Sequence, residues 1–550
     1  MARNGRGSRF DSWTISALIA AALVSLPVLV IAAYIFAPSA GVWAHLTATV
    51  LPRYVGNTLL LILGVGIGVL TIGVGTAWLV TMCRFPGRRV FEWALLLPFA
   101  VPAYVLAYTY TGLFDFTGPF QSWLREVFDW GRGDYWFPEI RSLGGAIAMM
   151  SLVLYPYVYL LSRAAFLEQS VCVLEVSRTL GRGPWKSFAT VALPLARPGI
   201  VAGLSFALIE TLNDFGTVDY FAVDTFTTGI YRTLFGLGEP AAAAQLASVL
   251  LILVFSLILL ERWSRSGGQV HHTTQRYRNL PRYRLRGWRG WGALLACSTT
   301  VFFGFLLPGG ALLVWAVETF TLDTNIFQYA FNSFILAAMT AILAVTVAIL
   351  MTYGMRLRPS KPMLAALRVA GMGYAVPGAV IAVGILLVST QIDNGIDRWM
   401  RSVFGLSTGL LFTGTVAGMV FAYLVRFLAI SLNSVEASLA KVTPNMDHAA
   451  RTLGLHPFAM LRRVHAPLMW GSLLTAGMLV FVDVMKELPA TIIMRPFNFD
   501  TLAIRAYQLA SDEQLAEAAG PALAIVIVGI LPVILLSVAI SRSRPGHADG

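Results

Sequence analysis

Apolar runs of about 20 residues, each long enough for a helix to cross ~30 Å of hydrocarbon, recur along this chain. That repetition fixes the solvent before it fixes the fold. Twelve such runs can be drawn: Trp13–Phe36, Val55–Met82, Phe91–Phe114, Leu143–Ser162, Pro198–Tyr220, Ala241–Leu260, Gly292–Val317, Phe331–Met355, Leu367–Ser389, Gly409–Ser431, Trp470–Met494 and Gly520–Ser541. With 57% hydrophobic and 12% charged residues over 550 positions, the chain has too little polar surface for a water-soluble globule. The expected class is all-α and polytopic, because a helix satisfies its own backbone in lipid. The first run is longer than a signal-peptide core and no small-residue cleavage pattern follows it, so it is read as a span.

A net charge of +12 raises nucleic acid as a partner, and the placement of the charge answers against it. Arg3, Arg6 and Arg9 precede the first span, Arg84, Arg88 and Arg89 follow the second, Arg356, Arg358 and Lys361 follow the eighth, and Arg542 and Arg544 follow the last. In an alternating chain all of these fall on one side, expected to be cytoplasmic, which puts both termini inside. The opposite loops hold most of the acids, among them Asp115, Glu126, Asp129, Asp134, Glu139, Asp323, Asp393 and Asp397. Cys83, Cys172 and Cys297 form no short metal or redox spacing, the histidines form no zinc motif, and no cofactor or resident metal is expected.

The sequence repeats itself. "RTLG" occurs at Arg178–Gly181 and Arg451–Gly454, and the same offset matches Pro184 with Pro457 and Pro194 with Pro467. Asn57 matches Asn332 nearby in register, and "AVPAYV" matches "AVPGAV". Two six-span halves are expected, 1–262 and 290–550, joined by an arginine-rich cytoplasmic linker, 263–289, that fixes topology or touches anionic lipid headgroups. An even number of spans per half makes the repeat parallel, which argues against inverted-repeat transporters.

Between the fourth and fifth spans of each half lies an amphipathic cytoplasmic stretch, about 168–197 and 436–468. "EVSRTLGRGPWKSFATVALP" opens at Glu175 and "DHAARTLGLHPFAMLRRVHAP" at Asp447. Gly181 and Gly454 suit the residue just past a helix end, while Pro184 and Pro457 can start a second helix, giving helix, tight corner, helix. Trp185, Phe188 and Val191, or Phe458, Leu461 and Val464, give the second piece an apolar side. A single copy would pass for a surface helix on the bilayer; two matched copies favour a pair of sockets.

These residues resemble the EAA loop of binding-protein-dependent ABC importer permeases, E-A-A-x-x-x-G followed by I-x-L-P. Glu175, Gly181, Leu193 and Pro194 match in the first half; Ala449, Ala450, Gly454 and Pro467 match in the second, where His448 replaces the glutamate. The resemblance implies a type I importer permease fold, with Glu175, Arg178, Gly181, Pro184, Pro194, His448, Arg451, Gly454, Pro457 and Pro467 coupling to a cytoplasmic ABC ATPase dimer. Consistent with a separate motor, the chain holds no G-x-x-x-x-G-K-[ST] phosphate loop.

Charges at membrane depth are costly and mark function by default. In the fifth and eleventh spans Glu210 aligns with Asp483, Asn213 with Lys486 and Asp214 with Glu487. The i, i+4 spacing is expected to put each acidic pair on one helical face, near the junction of the halves. They either pair with Lys486 and brace kinked helices, or guide a cation past carboxylate oxygens. Tyr104, Tyr108, Tyr155 and Tyr157 are read as packing or interface residues that can also add hard oxygen ligands. The segments Asp483–Ala519 and Thr211–Ala247 resemble fused iron(III) ABC transporter permeases, which implies ferric cargo and a periplasmic iron-binding protein. A fused permease for thiamine or another organic cation is the alternative, and a parallel-repeat secondary transporter is a further one. Neither a nucleophile–base pair nor a metal constellation supports an enzyme.

Overall fold

A backbone amide left unpaired in hydrocarbon costs several kcal/mol, so the chain must be helical wherever it crosses, except where protein surrounds a break. In the computed structural model, which describes residues 12–38, 41–167, 184–265, 282–319 and 324–542, helix dominates. The principal helices are, in chain order, α1 (Ser12–Tyr34), α2 (Leu51–Met82), α3 (Arg88–Ala94), α4 (Ala103–Phe114), α5 (Pro119–Phe128), α6 (Leu143–Leu167), α7 (Leu193–Asn213), α8 (Gly216–Tyr220), α9 (Pro240–Arg265), α10 (Trp288–Val301), α11 (Leu307–Glu318), α12 (Thr324–Leu357), α13 (Lys361–Ala370), α14 (Gly378–Phe404), α15 (Val416–Leu439), α16 (Pro444–Thr452), α17 (Ala466–Met485), α18 (Pro489–Met494) and α19 (Leu515–Arg542). Among the described residues 11 helical segments are long and apolar enough to cross a membrane, or 12 when a bent pair counts as one.

That bent pair is the third span, and it departs from the sequence expectation. Arg88–Ala100 and Ala103–Phe128 meet at 91°, broken at Val101–Pro102. Its counterpart breaks at Val376–Pro377, between α13 and α14. The cause is local in both: proline has no N–H to give and pushes the residue before it out of the helical region, so "AVP" cannot run straight.

Two compact units form, and neither is a continuous half of the sequence. One comprises Met1–Trp43, Ile230–Leu251 and Thr324–Ile504; the other comprises Ala44–Gly229, Ile252–Asp323 and Arg505–Gly550. The first unit is built on α12, α15 and α17, the second on the matching trio α2, α6 and α7. In the first, α1 packs along α12, α13 and α14, and it is fixed there by Gln245, which donates to the Ala37 carbonyl at 2.7 Å, and by Ser248, which donates to Ile31 at 2.8 Å. In the second, α19 packs on α11, on α4 and on the turn at 97–100. A two-residue parallel ladder, β1 (Cys83–Arg84) with β2 (Tyr283–Arg284), ties the end of the linker to the foot of α2.

Without a hydrophobic drive between helices, close approach through small residues supplies the packing energy. A Cβ on Gly73 of α2 would lie 2.7 Å from the Val158 side chain and 3.0 Å from the Tyr155 carbonyl oxygen. Gly75, two residues on, has nothing within 4 Å. Gly73→Ala is therefore expected to destabilise the detergent-solubilised protein by about 1–3 kcal/mol, the usual cost of overpacking, and Gly75→Ala to leave the thermal midpoint unchanged. Equal midpoints for the two variants would contradict the packing.

Candidate functional site

The second amphipathic element is described in full. α16 ends at Thr452, Gly454 adopts a left-handed φ of 77°, and a short helix restarts at Pro457, with His456 Nδ1 accepting from the Ala459 amide at 3.3 Å. A left-handed residue just past the helix lets the Leu455 amide reach back to the Ala450 carbonyl, 3.1 Å away. From Leu461 to His465 the chain makes one wide π turn and then runs straight into α17, whose second residue is Pro467.

What holds this element is the foot of α12. Arg356 donates to the Asp447 carboxylate at 2.7 Å and to the carbonyls of Leu439 and Val442 at 2.6 and 2.7 Å. His465 Nε2 lies 2.8 Å from the other Asp447 oxygen; a carboxylate only accepts, so that nitrogen carries the hydrogen. Tyr353 donates to the Pro457 carbonyl at 2.7 Å and packs with Ala450, Met460, Leu461, Val464 and the ring of Trp13. Opposite that seat the surface stays open: Leu453 is 80% and Phe458 63% exposed, beside exposed His448 and Arg451. Phe458 thus parts from the apolar side expected of it, because the bend at Gly454 and His456 leaves Leu461 and Val464 to face the seat.

Of the first element, Glu175, Arg178 and Gly181 lie outside the described residues. Pro184 opens a short helix, Phe188–Ala192 forms the matching π turn, and Pro194 is the second residue of α7. Phe188 packs at 4.7 Å on Trp78, which also meets Phe166 and Tyr283. Trp78 stands where Tyr353 stands in the other copy, at the offset already seen for Asn57 and Asn332. A matched aromatic in each half was a signal available in the sequence, and it was passed over.

The paired carboxylates are arranged differently from expectation. α7 ends at Asn213 and α17 at Met485, so Asp214 and Glu487 sit past the helix ends and share no helical face with Glu210 and Asp483. Each instead caps the next short helix. Asp214 Oδ1 accepts from the Thr217 and Val218 amides at 2.9 and 3.3 Å, while Glu487 Oε1 accepts from the Ala490 amide at 3.1 Å. Glu487 also pairs with Arg426 of α15 at 2.9 Å, with both side chains only 4% exposed. Asp483 pairs with Lys486 at 2.8 Å. Glu210 and Asp214 belong to one unit, Asp483, Lys486 and Glu487 to the other. Arg426 was missed in the sequence, although an arginine inside a span calls for a carboxylate partner.

Two of the tyrosines are engaged with backbone. Tyr155 donates to the Leu95 carbonyl at 2.7 Å and Tyr108 to that of Ala518 at 3.4 Å, while Tyr157 meets the ring of Phe99 edge-on. Among the described residues no three His, Cys, Asp or Glu side chains are grouped to hold a metal ion.

Residues 69–265 match the family described as binding-protein-dependent transport system inner membrane component. The sulfate transport system permease protein of Escherichia coli K12 is 33% identical over 208 residues, 36% of this chain and 71% of that protein. The chain belongs to this family. The molybdenum transport system permease protein of the same organism is 28% identical over 203 residues, 35% of this chain and 84% of its own length. An Fe(3+)-transport system permease protein of Haemophilus influenzae is 28% identical over 491 residues, covering 87% of this chain and 88% of the relative. With 11 helical segments able to cross a membrane among the described residues, and a match to the Fe(3+)-transport permease over 87% of the chain beside matches to the other two over about a third of it, the chain is a fused, multi-pass membrane permease.

Two measurements follow from the geometry. Removing one partner of a buried ion pair strands the other charge, so Arg426→Ala is expected to destabilise the protein by about 3–5 kcal/mol. Arg426→Met with Glu487→Leu should recover much of that loss in a thermal melt. At Asp447 burial works to raise the carboxyl, but hydrogen bonds from Arg356 and His465 outweigh it and hold the group below its ordinary value. Its contribution is therefore present above the unfolded carboxyl's pKa of about 4 and is lost as pH falls through the lower folded value. Hydrogen exchange across 444–452 should accelerate in that acid window in the native protein, with no such step in Asp447→Asn.

Proposed function

We propose that this chain is the permease subunit of an ATP-driven importer that carries ferric iron, delivered by a periplasmic binding protein, into the cytoplasm. One observation carries the cargo: the relative matched across both halves is named an Fe(3+)-transport permease, whereas the sulfate and molybdenum permeases match over about a third of the chain. The permease sits in the inner membrane with its termini, the 263–289 linker and both coupling loops on the cytoplasmic side, between halves 1–262 and 290–550. It does no covalent chemistry; hydrolysis belongs to a separate ATPase dimer.

The open face of the second element, with His448, Arg451, Leu453 and Phe458, is the surface offered to that motor, and Glu175, Arg178 and Gly181 serve the same end in the first. Because Arg356 binds α16 to the foot of α12 through several hydrogen bonds, a pull on the element is passed to the α12, α15 and α17 trio rather than spent in a hinge. For the ion itself, Asp483 and Glu487 have cationic partners within 3 Å, while the donors on Asp214 are the neutral groups of Thr217 and Val218. Asp214 is thus the better candidate for meeting a cation, and Glu487 the better candidate for bracing.

Proteoliposomes holding the permease, its ATPase and the iron-loaded binding protein should accumulate radioactive iron only with ATP. Glu210→Gln with Asp214→Asn should slow uptake at unchanged ATPase assembly, and Leu453→Asp with Phe458→Asp should abolish ATPase-coupled uptake. Uptake competed by thiamine with no iron accumulation, or uptake independent of the ATPase, would defeat the proposal.

A further inference from the structure

A second duplicated element lies at the other end of each unit. "WLREVFD" at Trp123–Asp129 and "WMRSVFG" at Trp399–Gly405 match at one offset, and both helices end on a left-handed residue, Asp129 with φ 52° and Gly405 with φ 66°. The first copy is α5; the second is the last part of α14. Each copy precedes the helix whose far end leads to an amphipathic element: α6 for the first and α15 for the second, 25 and 24 residues or about 37 and 36 Å long. The two kinds of duplicated element therefore sit at opposite ends of membrane-crossing helices.

One side of each copy is polar and folds the following loop back onto the helix. In the first, Gln121 accepts from Tyr135 at 2.6 Å, and Arg125 donates to the same hydroxyl at 3.1 Å. In the second, Asp397, matched to Gln121, accepts from Ser407 and the Thr408 amide at 2.8 and 2.9 Å, while Arg401, matched to Arg125, donates to Ser407 at 2.9 Å. The other side is apolar and exposed. Phe120, Trp123 and Val127 form one stripe, Ile392, Trp399 and Val403 the other, with Trp123 53% and Trp399 57% exposed.

We infer that these two stripes rest in the membrane–water interface on the face away from the coupling elements, each seating its loop cap in the lipid headgroup layer. Continuity decides the occupant. α14 is a single helix from Gly378 to Phe404, and Trp399 lies about 32 Å along it, enough to cross the hydrocarbon and finish among headgroups. The Ile392, Trp399 and Val403 stripe is thus carried by a membrane-crossing helix, which is buried in the protein from Gly378 to Ile385 and emerges from it at Gln391 and Ile392. Tryptophan favours that layer, having an apolar body and one N–H to spend on it, and a helix with one apolar and one polar side lies in its plane. In α5 the chain breaks at Asp115–Gly118, and the same sequence becomes a separate helix with the same two sides. The inference rests on the membrane location alone and is independent of cargo.

Depth-resolved spin labelling tests it. In a chain with Cys83, Cys172 and Cys297 replaced, nitroxides are placed singly at Val127→Cys and Val403→Cys, with Leu63→Cys on the exposed side of α2 and Arg132→Cys in the loop as references. The full-length permease is reconstituted in phosphatidylethanolamine–phosphatidylglycerol vesicles, and collisions with oxygen and with a water-soluble nickel chelate are compared. Labels at 127 and 403 should share the oxygen-dominated sign of position 63, opposite to position 132. As a second reading, Trp123→Phe with Trp399→Phe should remove part of the fluorescence quenched by lipids brominated near the headgroup. Chelate-dominated collisions at 127 and 403 would overturn the inference, as would protection appearing only when the binding protein is added.

Discussion

In hydrocarbon no water stands ready to satisfy a broken helix, so a break there calls for a side chain or a neighbouring turn to take up the freed amides. Two matched departures follow α7 and α17. There the amides of α8 and α18 would be stranded, and Asp214 and Glu487 accept from them at matched positions. Using a carboxylate as a cap introduces a charge where charge is expensive. The first unit neutralises it with Arg426; the second surrounds Asp214 with neutral donors from Thr217 and Val218. One backbone problem thus yields two electrostatic environments from a single ancestral pattern.

The same tension between matched scaffold and divergent chemistry runs through the amphipathic elements. Both leave a π turn before a proline and both seat an apolar residue on an aromatic at the foot of a core helix, Phe188 on Trp78 and Leu461 beside Tyr353. The second element adds an ionic clamp, Arg356 to Asp447 to His465, that steadies it as a rigid body. What duplication preserved is position; what it left free is the identity of the contacts.

Much of this was legible from residues alone. Spans are read from length and apolarity, and the repeat from a constant offset, so helix class, span number and the bend at Gly454 follow without coordinates. The broken third and ninth spans were not foreseen, since hydropathy averages over "AVP" while sterics do not. The shared helical face of Glu210 and Asp214 was an error of the same kind: i, i+4 geometry holds only while the helix continues, and α7 stops one residue short of Asp214. Arg356 was counted as a topology charge because a sequence shows that an arginine is present, not that the carbonyls of Leu439 and Val442 converge on it. Family membership rested on the EAA-like residues and is established by the relatives; the roles of individual side chains are not encoded in that likeness.

The exchange of outer helices between the two halves has a consequence for biogenesis. α1 is made well before its partners: α9, which holds it through Gln245 and Ser248, begins at Pro240, and α12, α13 and α14 begin from Thr324 onward. The other unit, built mainly from earlier sequence, needs α19, which begins at Leu515. Neither unit can close before much of the second half has been made, so the early helices must be sheltered, by lipid or by the insertion machinery, until their partners arrive.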